Sequence, residues 1–228
     1  GGMLVDEEKD EMKDLLVKHA MERFSDSALT LTIAPTLACN FCCPYCYEQG
    51  REYISMSEQV QDDLISELSN KYSHIRDLTV SWYGGEPLLA LDIIERLTAR
   101  IKANLSPHCE YNADMVTNGY NLTREVAKKL QDLDVKYVQI TIDGSKKAHD
   151  SRRILHRGAP TFERILSNIK DAVDILNISI RINVDKTNIS EAVEIFDWLE
   201  KYQLKGKVGY YLAPVDDING VCNSKICI

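Results

Sequence analysis

Six short runs rich in β-branched and aromatic residues alternate along this chain with segments whose apolar residues recur at helical spacing. The runs cover 29–34, 78–83, 110–116, 137–142, 179–184 and 207–212. A strand, a helix and a further strand in that order make a parallel pair with a right-handed crossover. The spacing predicts a first core helix after Ser57, with Ser55 and Glu58 three residues apart as a capping box sets them. A second helix carries Ile93, Ile94, Leu97 and Ile101 on one stripe, and a third begins after Thr123. A fourth places Phe162, Ile165, Leu166, Ile169, Val173 and Leu176 on one face. A fifth opens near 188–191 and carries Phe196 and Leu199. The expectation is an α/β fold, a partial (β/α)6 TIM-like barrel of parallel strands, in preference to a doubly wound sheet. Segment 3–27 reads as an amphipathic helix that packs Met12, Leu15, Leu16 and Met21 on the barrel. The expected organisation is an N-terminal helical extension over 1–28, the barrel over 29–214 and a tail over 215–228. Gly1 and Gly2 read as a tag remnant ahead of Met3.

Four cysteines crowd one loop after the first strand: Cys39, Cys42, Cys43 and Cys46. Thiolates this dense hold a metal or an iron–sulfur cluster. The subset Cys39, Cys43 and Cys46 has the spacing Cys-x3-Cys-x2-Cys. Three thiolates on a cubane leave one iron without a protein ligand, which favours an enzyme over a structural site. If that spacing applies, Cys42 is a small buried side chain and not a ligand. Structural zinc wants four closed ligands, usually as two distant pairs, and no second knuckle follows here. The seven cysteines are odd in number, and the opening residues Asp6, Glu7 and Glu8 are acidic where an export signal would be basic. These features predict a reducing cytoplasm. The formal charge is −8 and no long basic run occurs, so nucleic acid is not an expected partner. The longest apolar stretches fall far short of the ~20 residues of a membrane span.

In a βα barrel, function gathers at the C-terminal ends of the strands. The cysteine loop follows the first strand, Gly84-Gly85-Glu86-Pro87 the second, and Thr117-Asn118-Gly119 the third. Asp143-Gly144 follows the fourth and leads to His149, Asp150, Arg152 and Arg153, while Asn183-Val184-Asp185 ends the fifth. Each alone is an ordinary turn. Together on one rim they form one site. Two adjacent glycines let backbone approach a ligand closely, and an arginine over the rim can pair bidentately with a carboxylate.

The cysteine spacing, with Tyr45 before the last cysteine, resembles the radical SAM superfamily over about residues 31–214. Gly84-Gly85-Glu86-Pro87 matches that family's glycine–glycine–glutamate motif. Within the superfamily the combined motifs resemble the SPASM-type peptide and protein maturases, including anaerobic sulfatase-maturating and thioether-forming enzymes. The resemblance implies a 4Fe–4S cluster on Cys39, Cys43 and Cys46, with S-adenosylmethionine chelating its open iron. It implies that Gly84, Gly85 and Glu86 hold the methionine amino group, and that Arg153, in preference to Arg152, pairs with the carboxylate. Thr117, Asn118, Thr141 and Asp143 would surround the ribose; Tyr45 and Val184 would line the adenine. The implied reaction is reductive cleavage to a 5′-deoxyadenosyl radical that abstracts hydrogen from a peptide or protein, as in RiPP-type peptide maturation. Anaerobic sulfatase maturation is the alternative. Flavodoxin or ferredoxin is the implied electron donor. SPASM-type enzymes carry auxiliary clusters in a C-terminal domain, and Cys222 and Cys227 would either begin it or be free thiols. A zinc-binding interaction module and a catalytically inactive fragment are the competing expectations. Asp216 and Asp217 are acid–base candidates by position alone.

Overall fold

The computed structural model describes residues 10–23, 25–48 and 50–215. Six strands form one sheet in the order in which they occur along the chain, every neighbouring pair parallel. They are β1 (Ala28–Ile33), β2 (Asp77–Trp82), β3 (Glu110–Thr117), β4 (Val135–Ile142), β5 (Asn177–Val184) and β6 (Gly209–Pro214). The helices are α1 (Glu11–Arg23), α2 (Glu58–Lys71), α3 (Leu91–Asn104), α4 (Arg124–Asp132), α5 (Lys146–Arg152), α6 (Phe162–Ala172) and α7 (Ile195–Lys201). Right-handed crossovers that always step the same way put the connecting helices on one face and leave the other concave. This is the expected partial barrel, with β1 and β6 as its two edges.

The two faces differ sharply in chemistry. Leu78, Val80 and Trp82 of β2, and Ile180 and Ile182 of β5, are fully buried under the helices. They meet Ile94, Leu97, Ile165 and Ile169, also fully buried, in one continuous core. The alternate positions face the concave side: Thr79 and Ser81 on β2, Asn112 and Asp114 on β3, Gln139 and Thr141 on β4, Arg181 and Asn183 on β5. Closed barrels fill that space with bulky branched residues. Here it is polar and open.

Three helix starts are capped by hydroxyls at their first free N–H groups. Ser57 accepts from Val60 N, Thr123 from Val126 N and Ser145 from Ala148 N. The cap of α2 is therefore Ser57, and Ser55 is not part of a capping box. Ser55 instead donates to Thr36 Oγ1 at 3.1 Å in an isolated antiparallel bridge. Helix α5 has no apolar stripe long enough to announce it; the Ser145 cap and the packing of His149 make it. The expected packing of the N-terminal helix does not occur. Met12, Leu15, Leu16 and Met21 of α1 are 64, 61, 61 and 71% exposed. At 100° per residue Met12, Leu15 and Leu16 fall within about 100° of one another, while Met21 lies about 180° from Met12, so the four do not share one stripe. Among the described residues no helix is long and apolar enough to cross a membrane. Asp216, Asp217, Cys222 and Cys227 lie outside the described residues.

Candidate active site

At the C-terminal ends of the strands lies a cavity of about 330 Å3. Cys39, Cys43 and Cys46 line it; Cys42 does not. The Cys42 thiol is exposed and turns toward the carbonyls of Ile154 and Leu155, at 3.8 and 3.7 Å. That orientation is set by the backbone, where Cys42 N donates to Ile154 O at 3.0 Å and Phe41 bridges to Leu155. Cys42 is thus not the small buried side chain expected, although it stands apart from the other three. Burial raises the pKa of the Cys39 thiol and pushes Cys43 up to about 12. A metal reverses that by taking the thiolate and releasing the proton. Among the described residues no three Cys, His, Asp or Glu side chains converge as ligands of a single ion. A zinc site needs that convergence, whereas thiolates on a cubane each meet a different iron.

The glycine–glycine–glutamate turn after β2 is built differently from expectation. A Cβ on Gly85 would lie 2.3 Å from Ala38 O and 2.5 Å from Leu37 O; on Gly84, 2.4 Å from Thr36 O. The missing side chains let this turn press on the backbone that leads into the cysteine loop. Gly85 N and Glu86 N donate to Thr36 O and Ala38 O, at 3.2 and 2.8 Å. Both glycines still line the cavity, but Glu86 does not. Its carboxylate is fully buried and accepts from Leu88 N at 3.1 Å, Thr117 Oγ1 at 2.6 Å and Asn118 N at 2.7 Å. Burial raises the Glu86 pKa, opposed by those three hydrogen bonds. Glu86 is a brace between the loops after β2 and β3.

That brace commits groups expected near a ribose. Thr117 donates its hydroxyl proton to Glu86, and the Asn118 amide donates to Asn40 Oδ1 at 2.7 Å. Both residues line the cavity with their remaining surface, as does Thr141, whose hydroxyl has no partner among the described residues. Val184 and Asp143 are buried and are not among the lining residues. Tyr45 lines the cavity but is pinned through its hydroxyl, which donates to Asp143 Oδ2 at 2.6 Å. Arg153 Nη1 and Asn183 Nδ2 donate to the Tyr45 hydroxyl oxygen at 3.1 and 3.4 Å.

The two arginines separate cleanly. Arg152 does not line the cavity; its Nη1 pairs with Asp185, its Nε lies 3.2 Å from Asp143 Oδ2 at too poor an angle for a hydrogen bond, and its Nη2 is buried without a partner. Arg153 lines the cavity, and its Nε is buried without a partner. Burial works against the Arg153 charge, but Tyr45, Cys43 and Asp143 outweigh it and raise its pKa. Replacing Tyr45 by Phe removes the oxygen shared by Asp143, Arg153 and Asn183. The expected cost is about 2 kcal/mol, because buried donors lose their acceptor, and urea denaturation of the metal-free protein measures it. A variant as stable as the parent overturns the hub assignment.

Sequence reading placed His149 on the rim but gave it no role. It is fully buried and accepts from Asp143 N at its Nδ1, 3.3 Å away. The proton therefore sits on Nε2, 3.0 Å from Thr161 Oγ1. Thr161 in turn donates to the Arg153 carbonyl. The imidazole ties the end of β4 to the loop that carries Arg153. Burial, then the Arg153 and Arg152 charges, hold its pKa well below the ordinary 6.5. The unfolded chain takes up a proton near that pH while the folded chain does not. Stability present above pH 6.5 is therefore lost as pH falls through it, at up to about 1.4 kcal/mol per unit. Thermal midpoints of the parent and of His149→Gln between pH 7 and 5.5 test this. The variant should lose about one proton of slope, and an unchanged slope refutes the assignment.

Comparison with known proteins fits this geometry. The family model of the radical SAM superfamily matches residues 33–199. This protein belongs to the radical SAM superfamily, whose members use a 4Fe–4S cluster and S-adenosylmethionine. Among curated relatives, Fe-coproporphyrin III synthase of Methanosarcina barkeri is 25% identical over 198 residues, 86% of this chain and 47% of that protein. A probable GTP 3′,8-cyclase of Saccharolobus solfataricus is 27% identical over 182 residues, covering 78% and 54%. The chain spans about half the length of the curated relatives it matches. Among solved structures, anSMEcpe with bound AdoMet and the Cp18Cys peptide superposes with a TM-score of 0.71 at 20% identity, covering 84% of this chain and 52% of that one. Streptococcus suis SuiB bound to its precursor peptide SuiA gives 0.62 at 15%, covering 97% and 48%. At those identities the likeness is one of fold.

Proposed function

We propose that the barrel, residues 29–214, cleaves S-adenosylmethionine reductively to modify a peptide or protein. The observation that carries this reading is the division of the cysteine loop. Cys39, Cys43 and Cys46 face one cavity, and Cys42 faces away from it. Three inward thiols suit a cluster with one open iron. Arg152 and Arg153 both hold buried nitrogens without a partner, but only Arg153 lines the cavity, which suits it to an incoming carboxylate. The residues present therefore fit both cofactors.

In this reading Cys39, Cys43 and Cys46 hold the cluster, and Arg153 takes the methionine carboxylate. The Gly84 and Gly85 backbone lies against the amino group, with Glu86 holding that backbone in place. Thr141 is the free hydroxyl for the ribose; Thr117 and Asn118 border it while fixed to Glu86 and Asn40. Tyr45 would line the adenine from the cavity wall, and Val184, buried and outside the lining, would contribute only indirectly. Asp143 acts through Tyr45 and Arg152. Bound there, the two cofactors supply one-electron cleavage of a carbon–sulfur bond and abstraction of a substrate hydrogen. Phe41 and Val116 add apolar wall that helps keep water from the reacting atoms.

A peptide substrate is supported by two structural neighbours whose structures hold peptides, and by the polar, open concave face. Curated relatives named for tetrapyrrole and nucleotide chemistry lie within the same superfamily, so the substrate needs its own test. Auxiliary clusters, a flavodoxin or ferredoxin donor and a cytoplasmic setting belong to the same proposal. The test is anaerobic reconstitution with iron and sulfide, then reduction with dithionite in the presence of S-adenosylmethionine. The expected products are 5′-deoxyadenosine and methionine in equal amounts. An intact cluster that yields neither refutes the reading. Stoichiometric zinc in place of iron supports an interaction module instead.

A further inference from the structure

We propose that Arg181 selects the substrate by pairing with a carboxylate of an acidic peptide, a claim that rests on the peptide reading above. Arg181 lies on the concave face of β5 and lines the same cavity as the three cysteines. It sits two residues below Asn183, whose amide meets Tyr45 at the rim. It therefore lies deeper in the barrel than the residues proposed to hold S-adenosylmethionine. Its Nε donates to Asn183 Oδ1 at 2.9 Å, which sets the plane of the guanidinium. Among the described residues neither Nη has a hydrogen-bond acceptor, and no carboxylate lies within 4.0 Å of the group.

The neighbourhood is equally rich in donors. Parallel register places Thr141 of β4 on one side of Arg181 and Tyr211 of β6 on the other. Tyr211 donates to Gln139 Oε1 at 2.6 Å, which turns the Gln139 amide hydrogens free for another acceptor. Gln139 and Thr141 line the cavity with Arg181. The two Nη groups are not among the buried unpartnered atoms, so they face the open cavity with their donors available to a ligand. The planar fork of a guanidinium matches a carboxylate through two parallel hydrogen bonds. S-adenosylmethionine carries one carboxylate, and Arg153 already stands for it. The second cation calls for a second anion, which the substrate must bring. A nucleoside triphosphate would need more positive charge than this wall offers. Arg153 and Arg181 are the cationic side chains among the lining residues, and Glu48 opposes them.

The test uses the anaerobically reconstituted protein with S-adenosylmethionine bound. Three pools of synthetic peptides are compared, matched except for Glu, Gln or Lys at one central position, with glutarate and GTP as separate probes. Equilibrium dialysis reads retention, and the ratio between pools serves as the measure, because general damage scales all pools alike. The parent should retain the Glu pool about tenfold over the Gln pool, the size of one charge-paired contact. Arg181→Gln should bring that ratio to about one, Arg181→Lys should keep part of it, and Arg181→Glu should shift preference to the Lys pool. Equal retention of the Glu and Gln pools by the parent overturns the pairing and leaves the peptide reading standing. If the parent retains no peptide pool but retains glutarate, and Arg181→Gln does not, the anion site stands and the peptide reading falls. Retention of GTP in place of every peptide pool overturns the proposal, as does an Arg181→Gln protein that loses affinity for S-adenosylmethionine while keeping the parent's ratio.

Discussion

Cys43→Ala should leave the reconstituted protein without its cluster, while Cys42→Ala should assemble one normally. The two thiols are adjacent in the chain, so any difference between them is a matter of direction. Cys43 lines the cavity with Cys39 and Cys46, whereas Cys42 points at the Ile154 and Leu155 carbonyls on the other side of the loop. Losing one of three thiolates exposes a second iron to solvent and leaves two anchors. The expected iron content falls from about four per chain to near zero. Cys42→Ala removes two weak, exposed S–H contacts and should cost under about 0.5 kcal/mol. Iron and sulfide analysis with the visible absorbance of the reconstituted proteins decides it. A cluster in Cys43→Ala, or none in Cys42→Ala, would reverse the ligand assignment.

Gly85→Ala should damage both the fold and the site. The new methyl would sit 2.3 Å from Ala38 O, 2.5 Å from Leu37 O and 2.6 Å from Ala38 C. All three are backbone atoms, so no rotamer relieves the clash, and the turn after β2 must separate from the cysteine loop. Overpacking of this kind costs about 3 kcal/mol, the upper end of its usual range. For a chain of this size that lowers the thermal midpoint by about 6–12 °C. The separation also breaks the Gly85 and Glu86 N–H contacts to Thr36 and Ala38, so cluster assembly should suffer too. Gly158→Ala is the control. Its φ of +78° carries a conformational penalty of about 1 kcal/mol, yet a Cβ there meets nothing within 4 Å. Equal melting of the two variants would refute the packing argument.

The strands and the core stripes were legible because each is a local pattern. Leu78, Val80 and Trp82 alternate with Thr79 and Ser81, and Ile165 and Ile169 recur one turn apart, so burial follows from spacing. The observed strand ends differ from the expected ones by two residues at most. What failed was local sequence read without its partner. Ser55 was expected to cap α2, but its hydroxyl is drawn to Thr36, nineteen positions away. Segment α1 was expected to pack, but its apolar residues stay exposed and Met21 falls opposite Met12. Helix α5 escaped notice because a short element with one buried histidine has no period to detect.

The sequence by itself determined that a parallel barrel would form and that cysteines, glycines, a threonine and arginines would gather on its rim. Strand–helix alternation dictates topology, and topology carries every strand end to the same side. Only the tertiary structure decided which of those side chains face the cavity. Glu86 turned out to brace Thr117 and Asn118, and Tyr45 to anchor on Asp143, 31 to 98 positions apart. Arg152 turned to Asp143 and Asp185, while Arg153 and Arg181 line the cavity. The physical reason is that a polar side chain on a rim takes whichever partner the fold brings within hydrogen-bond reach, and that distance is not written in the order of residues.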